Sequence, residues 1–446
     1  MIADLGGLLL ANACFLAAGA GVAGLAGWWG GPRGLVRSLG VCYLAGLAAF
    51  GMVAQLLYVL GASLSRWEVL AVCLVLATGS VRAIRSDPGY RPPLGLWRWV
   101  LVAVAAMLAL LAVDLWFQPL WAYDSWTFWT PKAHALYALN GLDPGWFGAH
   151  DLLNRDYPVL LPAVESATFR FTGFETRLLD IQSLIILIAL LAAVVEVAVR
   201  LNARRTVLAA VLLSIVFAPS VADQLAAAEA DLPVAAFFAC AGLCAAVWLE
   251  QRRRCALVLA GVLAGGAAAT KIEGTVFVIA LFLALALAEW RRAAFPLAAG
   301  AAALVAGVVP WKIWLAIHHV PEQVTVHRLV SPSLLAGHVG RVPHAAAYMA
   351  WKILDPRAWI VLVPVCLLVA ILARRHAGRT FWLALGGTAL ALAGLLIAYW
   401  TTPLPFHYHL ATSARRIVTG PIFFLAALTP LVARKPTSTS GYPGDP

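Results

Sequence analysis

The residues of this chain that are best suited to chemistry begin with a charged stretch that directly follows an apolar run. Residues 121–141, WAYDSWTFWTPKAHALYALNG, set Asp124, Lys132 and His134 among aromatic side chains. A carboxylate at this point can accept the proton of an attacking hydroxyl. Asp124 also precedes helically spaced apolar residues, so it suits a helix N-cap as well. It therefore has two interpretations, a general base and a cap.

The helix that follows this aspartate is predicted to lie in the membrane interface. Apolar residues recur at helical spacing over residues 126–139, and tryptophans favour the level of the lipid headgroups. Lys132 and His134 are expected on the polar side of the helix. Its expected membrane anchors are Trp121, Trp126 and Trp129.

Three further carboxylates lie close to the ends of apolar runs. Asp156 occurs in NRDYPVLLP, and Glu229 and Asp231 occur in AAAEADLPVAAFF. Ionisable groups at membrane depth are costly and usually functional. All three are therefore predicted to belong to a site, with Asp156 as a second candidate catalytic residue and the other two as candidate substrate contacts.

Cations occur close to the predicted outer ends of other apolar runs. Lys271 lies with Glu273 in ATKIEGTVF, and Arg415 and Arg416 lie in HLATSARRIVTG. Such cations could stabilise a phosphate. The competing interpretations are a local ion pair between Lys271 and Glu273, and snorkelling of the two arginines to the interface. His319, at the end of an apolar run, is a further candidate substrate contact.

The histidine spacing gives no zinc motif. None of the ten histidines has a second histidine at the H-x-x-x-H spacing. The sequence therefore indicates no definite cofactor. Whether a divalent cation binds is left open.

These residues together offer bases, phosphate-binding cations and aromatic rings that could stack on a sugar. The combination fits a reaction between a lipid-phosphate-linked donor and a hydroxylated acceptor at the outer membrane surface. The chain has no nucleotide-binding domain, and nucleotide sugars are absent from that side of the membrane. The donor is therefore expected to be lipid-linked.

The elements that must position these residues are membrane helices. The chain is 62% hydrophobic and only 12% charged, whereas globular domains carry about 25% charged residues. We predict an all-α polytopic membrane protein, a bundle of about thirteen transmembrane helices. The predicted spans are residues 4–27, 36–60, 67–83, 97–118, 178–199, 205–222, 231–249, 255–270, 273–289, 293–316, 358–373, 380–400 and 415–433.

Two outer loops, 119–177 and 317–357, are long enough to hold interfacial helices and a site. Residues 1–95 are predicted to form an N-terminal set of helices, and residues 96–433 the catalytic domain. Residues 434–446 are predicted to be a disordered cytoplasmic tail.

The charge distribution predicts the orientation. With the N-terminus outside, every predicted cytoplasmic loop carries at least two basic residues, and most acidic residues lie outside. This places the C-terminus in the cytoplasm and the site on the periplasmic or exterior face of the inner (plasma) membrane. The net charge of +11 is then explained by anionic membrane lipids, and no nucleic-acid partner is needed.

At these motifs the chain resembles the GT-C superfamily of polyprenyl-phosphate-sugar glycosyltransferases, nearest to its RgtA/B/C/D-like and protein-mannosyltransferase-like group. The resemblance is carried by YDSWTFWTPKAHALYALNG, RDYPVLLPAVESATFRFTG, EADLPVAAFF and GVLAGGAAATKIEGTVF. It implies a GT-C-like fold and a polyprenyl-phosphate sugar donor.

Carried over to this sequence, the resemblance implies roles for single residues. Asp124 looks like the catalytic carboxylate, with Asp156 and Asp231 as supporting acids. Lys271 looks like a contact to the lipid phosphate, and the Arg415–Arg416 pair supplies weaker candidates. Many relatives have one span before the catalytic loop, whereas here three further predicted spans, within residues 1–95, precede that span.

Two residues depart from the pattern of the family. Ser125 follows Asp124, where many relatives carry a second acid, and this puts a two-carboxylate base or a metal site there in doubt. Asp156 precedes Tyr157 and Pro158 in place of a His-Pro-Pro-like element, so Asp156 is a candidate for a role that histidine has elsewhere.

The main prediction is inverting transfer of a sugar to a glycan, lipid or protein acceptor, with Asp124 as general base. One alternative is an oligosaccharide transferase of the O-antigen ligase type, which would use His327 and Arg341. Others are a lipid-linked sugar transporter or flippase, whose mid-span charges would be Glu196 and Lys312, and a scaffold without catalysis.

Overall fold

The structure is a computed structural model that describes residues 2–84, 97–149, 152–322 and 331–434. These residues form helices and connecting turns, with no strand among them, which confirms the all-α class. The predicted tail beyond residue 434 and the candidate His327 lie outside the described residues.

The first part of the chain packs an N-terminal group of helices against the outer loop. The helices are α1 (Ile2–Leu25), α2 (Gly31–Arg37), α3 (Leu39–Val59), α4 (Arg66–Ala77), α5 (Ser80–Ile84), α6 (Arg98–Phe117), α7 (Thr130–Leu139), α8 (Pro144–Phe147), α9 (Leu160–Thr172) and α10 (Arg177–Arg200). A π-helical turn, Ser125–Trp129, directly precedes α7.

The second part supplies the centre of the bundle. Its helices are α11 (Arg205–Val216), α12 (Pro219–Ala227), α13 (Asp231–Gln251), α14 (Arg254–Thr270), α15 (Ile272–Ala288), α16 (Ala294–Ile317), α17 (Pro332–Gly337), α18 (Arg341–Leu354), α19 (Pro356–Trp359), α20 (Leu362–Ala373), α21 (Arg379–Thr401), α22 (Phe406–Ile417) and α23 (Thr419–Val432).

Every predicted span coincides with a helix or a pair of helices, but the count of thirteen is not confirmed. Among the described residues, eight helices are long and apolar enough to cross a membrane, or nine if the bent pair α11–α12 is one span.

Helices α14 and α15 have 17 residues each because the chain becomes extended at Lys271 between them. At 1.5 Å per residue each is about 25 Å long.

Helix α13 lies at the centre of the bundle. It packs against α10, α14 and α23, and the 18-residue apolar window within it is wholly buried. Its first residue is Asp231, so the burial of α13 fixes the position of one predicted site residue.

Helix α3 packs against α9, α10 and α14, so the N-terminal helices support the outer loop directly. The domain boundary at residue 95 stays a prediction.

Helices α1 and α3 cross at two glycines. A Cβ added at Gly19 would lie 1.7 Å from the carbonyl oxygen of Cys42, and one added at Gly46 would lie 1.9 Å from that of Phe15. Small residues let membrane helices approach this closely, and there dispersion contacts and not water exclusion hold the helices together.

We expect Gly19→Leu to prevent this crossing, because the new side chain meets backbone atoms that cannot rotate away. Overpacking of this kind costs about 1–3 kcal/mol or more. Size-exclusion yield and melting temperature in detergent measure the effect. Gly6→Leu in the same helix is the matched control, since nothing lies within 4 Å of a Cβ there. Equal yields and melting temperatures for the two variants would contradict the packing argument.

Candidate active site

A cavity of about 1660 Å³ brings most of the predicted site residues together. Its walls come from residues 121–124, residues 153–158, and helices α12, α15, α16, α21 and α22. The predicted site residues on its lining are Asp124, Asp156, Glu229, Lys271, Glu273, Arg415 and Arg416. Residues as far apart in the chain as Asp124 and Arg416 therefore meet at one place.

Asp124 is held by an arginine and does not cap a helix. Its side chain makes no capping hydrogen bond, so the cap interpretation is wrong. One carboxylate oxygen, Oδ2, lies 2.7 Å from Nη1 of Arg416, and the side chain stays 22% exposed. The carboxylate is thus both fixed in place and open to the cavity.

The serine that follows Asp124 has a structural role. Ser125 is buried, and its hydroxyl donates to the carbonyl oxygen of Ala227 at the end of α12, with that of Ala228 at 3.3 Å. This contact docks the π turn on α12. Ser125 therefore fixes the position of Asp124.

Arg416 joins two carboxylates. Its Nη1 atom pairs with Asp124 and also with Oε2 of Glu229, whose side chain is buried. Arg415 lies nearer the surface and pairs with Asp223 at 2.6 Å. Neither arginine is a lone snorkelling group, because each guanidinium binds a carboxylate from another element of the cavity wall.

Lys271 joins a second pair of carboxylates. It sits at the extended junction between α14 and α15, and its Nζ atom lies 2.7 Å from Oδ1 of Asp231 and 3.3 Å from Oε1 of Glu273. The predicted local pair with Glu273 is present, and Asp231 adds a closer, buried partner from the start of α13. Asp231 therefore reaches the site through Lys271.

Burial raises the pKa of the Glu229 carboxyl to about 7; the nearby Arg416 cation opposes this rise, and Asp231 adds to it. Glu229 thus titrates near neutral pH, within reach of Arg416. Protonation would release one of the two carboxylates that hold the guanidinium.

Asp156 lies in a loop whose backbone is held by hydrogen bonds from Lys132. The ammonium of Lys132 is fully buried and donates to the carbonyl oxygens of Asn154 at 2.7 Å and Tyr157 at 3.1 Å. The carbonyl oxygen of Asp156 accepts from Nε1 of Trp311 at 2.8 Å. The placement of Lys132 on the polar side of its helix is therefore wrong, because the π turn shifts the register of α7.

The aromatic anchors divide into two groups. Trp121 and Trp126 are exposed, as expected of interfacial residues. Trp129 is buried, and its ring stacks on that of Tyr157 with centroids 5.7 Å apart. Trp129 therefore supports the Asp156 loop, and its prediction as a membrane anchor is wrong. His134 is exposed, as predicted.

His319 is a candidate that the structure does not bring to the cavity wall. It follows the end of α16 in the left-handed region, with a φ of 54°, and it is not among the residues that line the cavity.

The cavity also contains polar residues that the sequence analysis did not select. Gln224 lies on the cavity face of α12, and His409 binds Thr402 at 2.8 Å through Nδ1. The helical spacing of Ser220 and Gln224 could have indicated the polar face of α12. The sequence holds no comparable signal for His409.

An apolar arm leads away from the charged residues. Residues Val276, Ile279 and Leu283 line it from one face of α15, and Leu390 and Ile397 line it from α21. Several of these side chains are themselves exposed, so the arm opens on the apolar outside of the bundle. One cavity therefore has a charged end and a lipid-compatible arm.

The described part of the chain offers no preformed group of metal ligands. Within the described ranges, no three His, Cys, Asp or Glu side chains are grouped so as to hold a metal ion. Asp124 and Glu229 are instead bound to Arg416, and Asp231 and Glu273 are bound to Lys271.

We expect Lys132→Met to destabilise the protein by about 1–3 kcal/mol, because the two carbonyl groups lose a buried donor. Burial lowers the pKa of Lys132 to about 7 from its ordinary 10.5. Between these values the unfolded chain binds a proton that the folded one does not, so stability rises with pH. The advantage of the wild type should therefore widen from pH 7 to 10 in thermal unfolding.

Lys352→Met is the matched control, because the Lys352 ammonium contacts only aromatic rings at 4.0 and 5.2 Å among the contacts described for it. Equal losses in the two variants, or a pH-independent difference for Lys132→Met, would show that the loop does not depend on this lysine.

The comparison with protein families found one match. Residues 156–314 match the model of the family described as dolichyl-phosphate-mannose-protein mannosyltransferase. The match covers about a third of the chain and includes Asp156, Glu229, Asp231, Lys271 and Glu273. It supports the resemblance to the GT-C superfamily. No curated protein and no solved structure matches the chain.

Proposed function

We propose that this chain, a membrane glycosyltransferase of the GT-C type by its match over residues 156–314, transfers a sugar from a polyprenyl-phosphate donor to a hydroxyl group of an acceptor. The observation that carries the proposal is that an apolar arm and paired carboxylates and cations line one and the same cavity. A polyprenyl-phosphate sugar has the same two parts, an apolar chain and a charged head that carries the sugar.

The polarity of the cavity supports a position for each part of the donor. Its polyprenyl chain occupies the arm between α15 and α21, and its phosphate lies where this arm reaches Lys271. Lys271 directly precedes α15, and the positive end of a helix dipole also favours an anion at that point. Arg416 is the second cation at the charged end.

Asp124 acts as the general base. It accepts the proton of the acceptor hydroxyl as the hydroxyl oxygen bonds to the anomeric carbon. The bond between that carbon and the phosphate oxygen breaks, its electron pair leaves with the phosphate, and Lys271 and Arg416 stabilise the added charge. Attack opposite the leaving group inverts the configuration of the sugar.

The carboxylates compete with the donor for the cations. Asp124, Glu229, Asp231 and Glu273 surround Lys271 and Arg416, so the site has an excess of negative charge. Protonation of Glu229 removes one of these charges. Donor binding is therefore coupled to the protonation of Glu229.

The proposed site faces the periplasm or exterior of the inner (plasma) membrane, with the N-terminus outside and the C-terminus in the cytoplasm. The basic residues of the predicted cytoplasmic loops support this orientation. Membrane lipids and a glycan, lipid or protein acceptor are the partners that it implies.

Of the residues that the alternatives need, Lys312 lines the cavity, where it pairs with Glu322. Arg341, needed for the ligase-type reaction, donates to the carbonyl oxygen of Thr402 at 3.1 Å and is not part of the cavity lining. Glu196, a mid-span charge expected of a transporter, binds Trp28 and Ser38 and lies 3.9 Å from Arg200.

We expect Asp124→Asn to lower the turnover of a polyprenyl-phosphate sugar by about 10²–10⁴-fold, the usual worth of a positioned general base. The assay is transfer or donor hydrolysis by purified protein in lipid nanodiscs. Asp143→Asn is the matched control, because Asp143 caps α8 in the same outer loop and does not line the cavity. Unchanged turnover in Asp124→Asn would refute the role of this base.

We expect the donor KM to fall as the pH falls through about 7, because protonated Glu229 no longer competes for Arg416. Glu229→Gln should bind donor with little pH dependence between pH 6 and 8, near the low-pH affinity of the wild type. Glu175→Gln, at an outer carboxylate paired with Arg177, should keep the wild-type profile. The same slope in Glu229→Gln and wild type would contradict the coupling.

A further inference from the structure

One face of α12 turns polar side chains into the cavity beside Asp124. Ser220, Asp223, Gln224 and Ala227 follow one another at the i, i+3, i+4 and i+7 positions of this helix, and all four line the cavity. Helix α12 leaves the direction of α11 by a bend of 51°. The mechanism above uses none of these residues.

Gln224 is the residue on this face that most clearly lacks a partner. It is only 4% exposed, and its Oε1 atom makes no hydrogen bond. Buried polar groups are nearly always satisfied, and each exception needs an explanation. Since Gln224 lines the cavity, a hydroxyl or amide of a bound molecule is the natural donor for this oxygen.

The other walls near α12 combine exposed aromatic rings with hydrogen-bonding groups. Trp121 and Tyr123 are 55% and 57% exposed and line the same cavity. Asp223, paired with Arg415, is exposed at the same end. Thr412 of α22 adds a hydroxyl. The result is a cleft with flat apolar surfaces and several polar groups at its edge.

This combination favours a sugar over a lipid or a peptide. A pyranose or furanose ring presents a C–H face that packs on an aromatic ring, and its hydroxyl groups donate and accept in turn. A lipid acceptor would need apolar walls, which the cavity has at its other arm. A peptide would need partners for its backbone groups, commonly an exposed strand edge, and the described residues have none.

The cleft is also correctly placed for the reaction. The hydroxyl of Ser125 donates to the carbonyl oxygen of Ala227, and this holds Asp124 against the end of α12. Arg416 also fixes the carboxylate at 2.7 Å. A ring bound on α12 therefore lies next to the proposed base.

We infer that the polar face of α12, with Trp121 and Tyr123, binds the terminal sugar of a carbohydrate acceptor, and that Gln224 is a specificity-determining residue for it. The inference rests on the proposed function for the role of Asp124. The binding of a sugar to α12 is separable from that role, because it needs no chemistry.

The test measures binding apart from turnover. A panel of methyl glycosides of hexoses and pentoses is titrated into wild-type protein in nanodiscs and followed by saturation-transfer NMR. Gln224→Leu, which keeps the side-chain size, should weaken the binding of the preferred glycoside by about tenfold, the worth of a buried hydrogen bond. Its donor KM should stay within about twofold of the wild type. Gln118→Leu, on an outer glutamine away from the cavity, is the matched control.

Gln224→Glu keeps an acceptor oxygen at this position. It is the second variant, which keeps the test valid if Gln224→Leu fails to fold. Retained sugar binding in the glutamate variant, with loss in the leucine variant, supports the inference. Equal glycoside binding in wild type and both variants would overturn it, as would competition by serine-containing peptides alone. If Asp124→Asn turns over donor normally while Gln224→Leu loses sugar binding, the base is wrong and the sugar site stands. If instead Asp124→Asn loses turnover while Gln224→Leu keeps sugar binding, the base stands and the sugar site is wrong.

Discussion

The shared guanidinium of Arg416 is the contact on which the arrangement of the site depends. It joins the outer loop through Asp124, the junction of α12 and α13 through Glu229, and α22 through its own backbone. A partly buried cation between two carboxylates has a desolvation cost, which close geometry offsets. Each of the three elements therefore constrains the other two, although they meet at the edge of an apolar bundle.

The Lys271 cluster repeats this design on the other side of the cavity. Here the cation comes from a break between two helices, and Asp231 comes from the most buried helix of the bundle. Because α13 is packed on all sides, Asp231 gives Lys271 a fixed partner. Lys271 thus stands on a rigid support, while Asp124 and the α12 face belong to the outer loop and to the bent helix pair. Functional side chains on loops that a rigid scaffold positions are common in enzymes.

Much of the fold could be predicted from the sequence, since each apolar run became a helix or a helix pair. The grouping of Asp124, Glu229 and Lys271 at one site also followed from their positions at the ends of those runs. The pairings did not follow: nothing in the sequence links Asp124 to Arg416 or Lys271 to Asp231, because those contacts depend on tertiary packing. Apolar spacing predicts the wrong face for Lys132 for a local reason: it assumes 3.6 residues per turn, so it cannot reveal a five-residue π turn.

The shortness of α15 has a consequence for the membrane itself. The helix is about 25 Å long, about 5 Å less than the hydrocarbon core of a typical bilayer, and its outward side chains Ile279, Leu283 and Leu287 are exposed. Lipid that covers this surface has to thin beside it, at a cost of a fraction of a kcal/mol per Å of hydrophobic mismatch. Such thinning lowers the headgroup plane toward Lys271. For the proposed lipid-phosphate donor, it shortens the distance over which the phosphate has to leave the plane of the membrane.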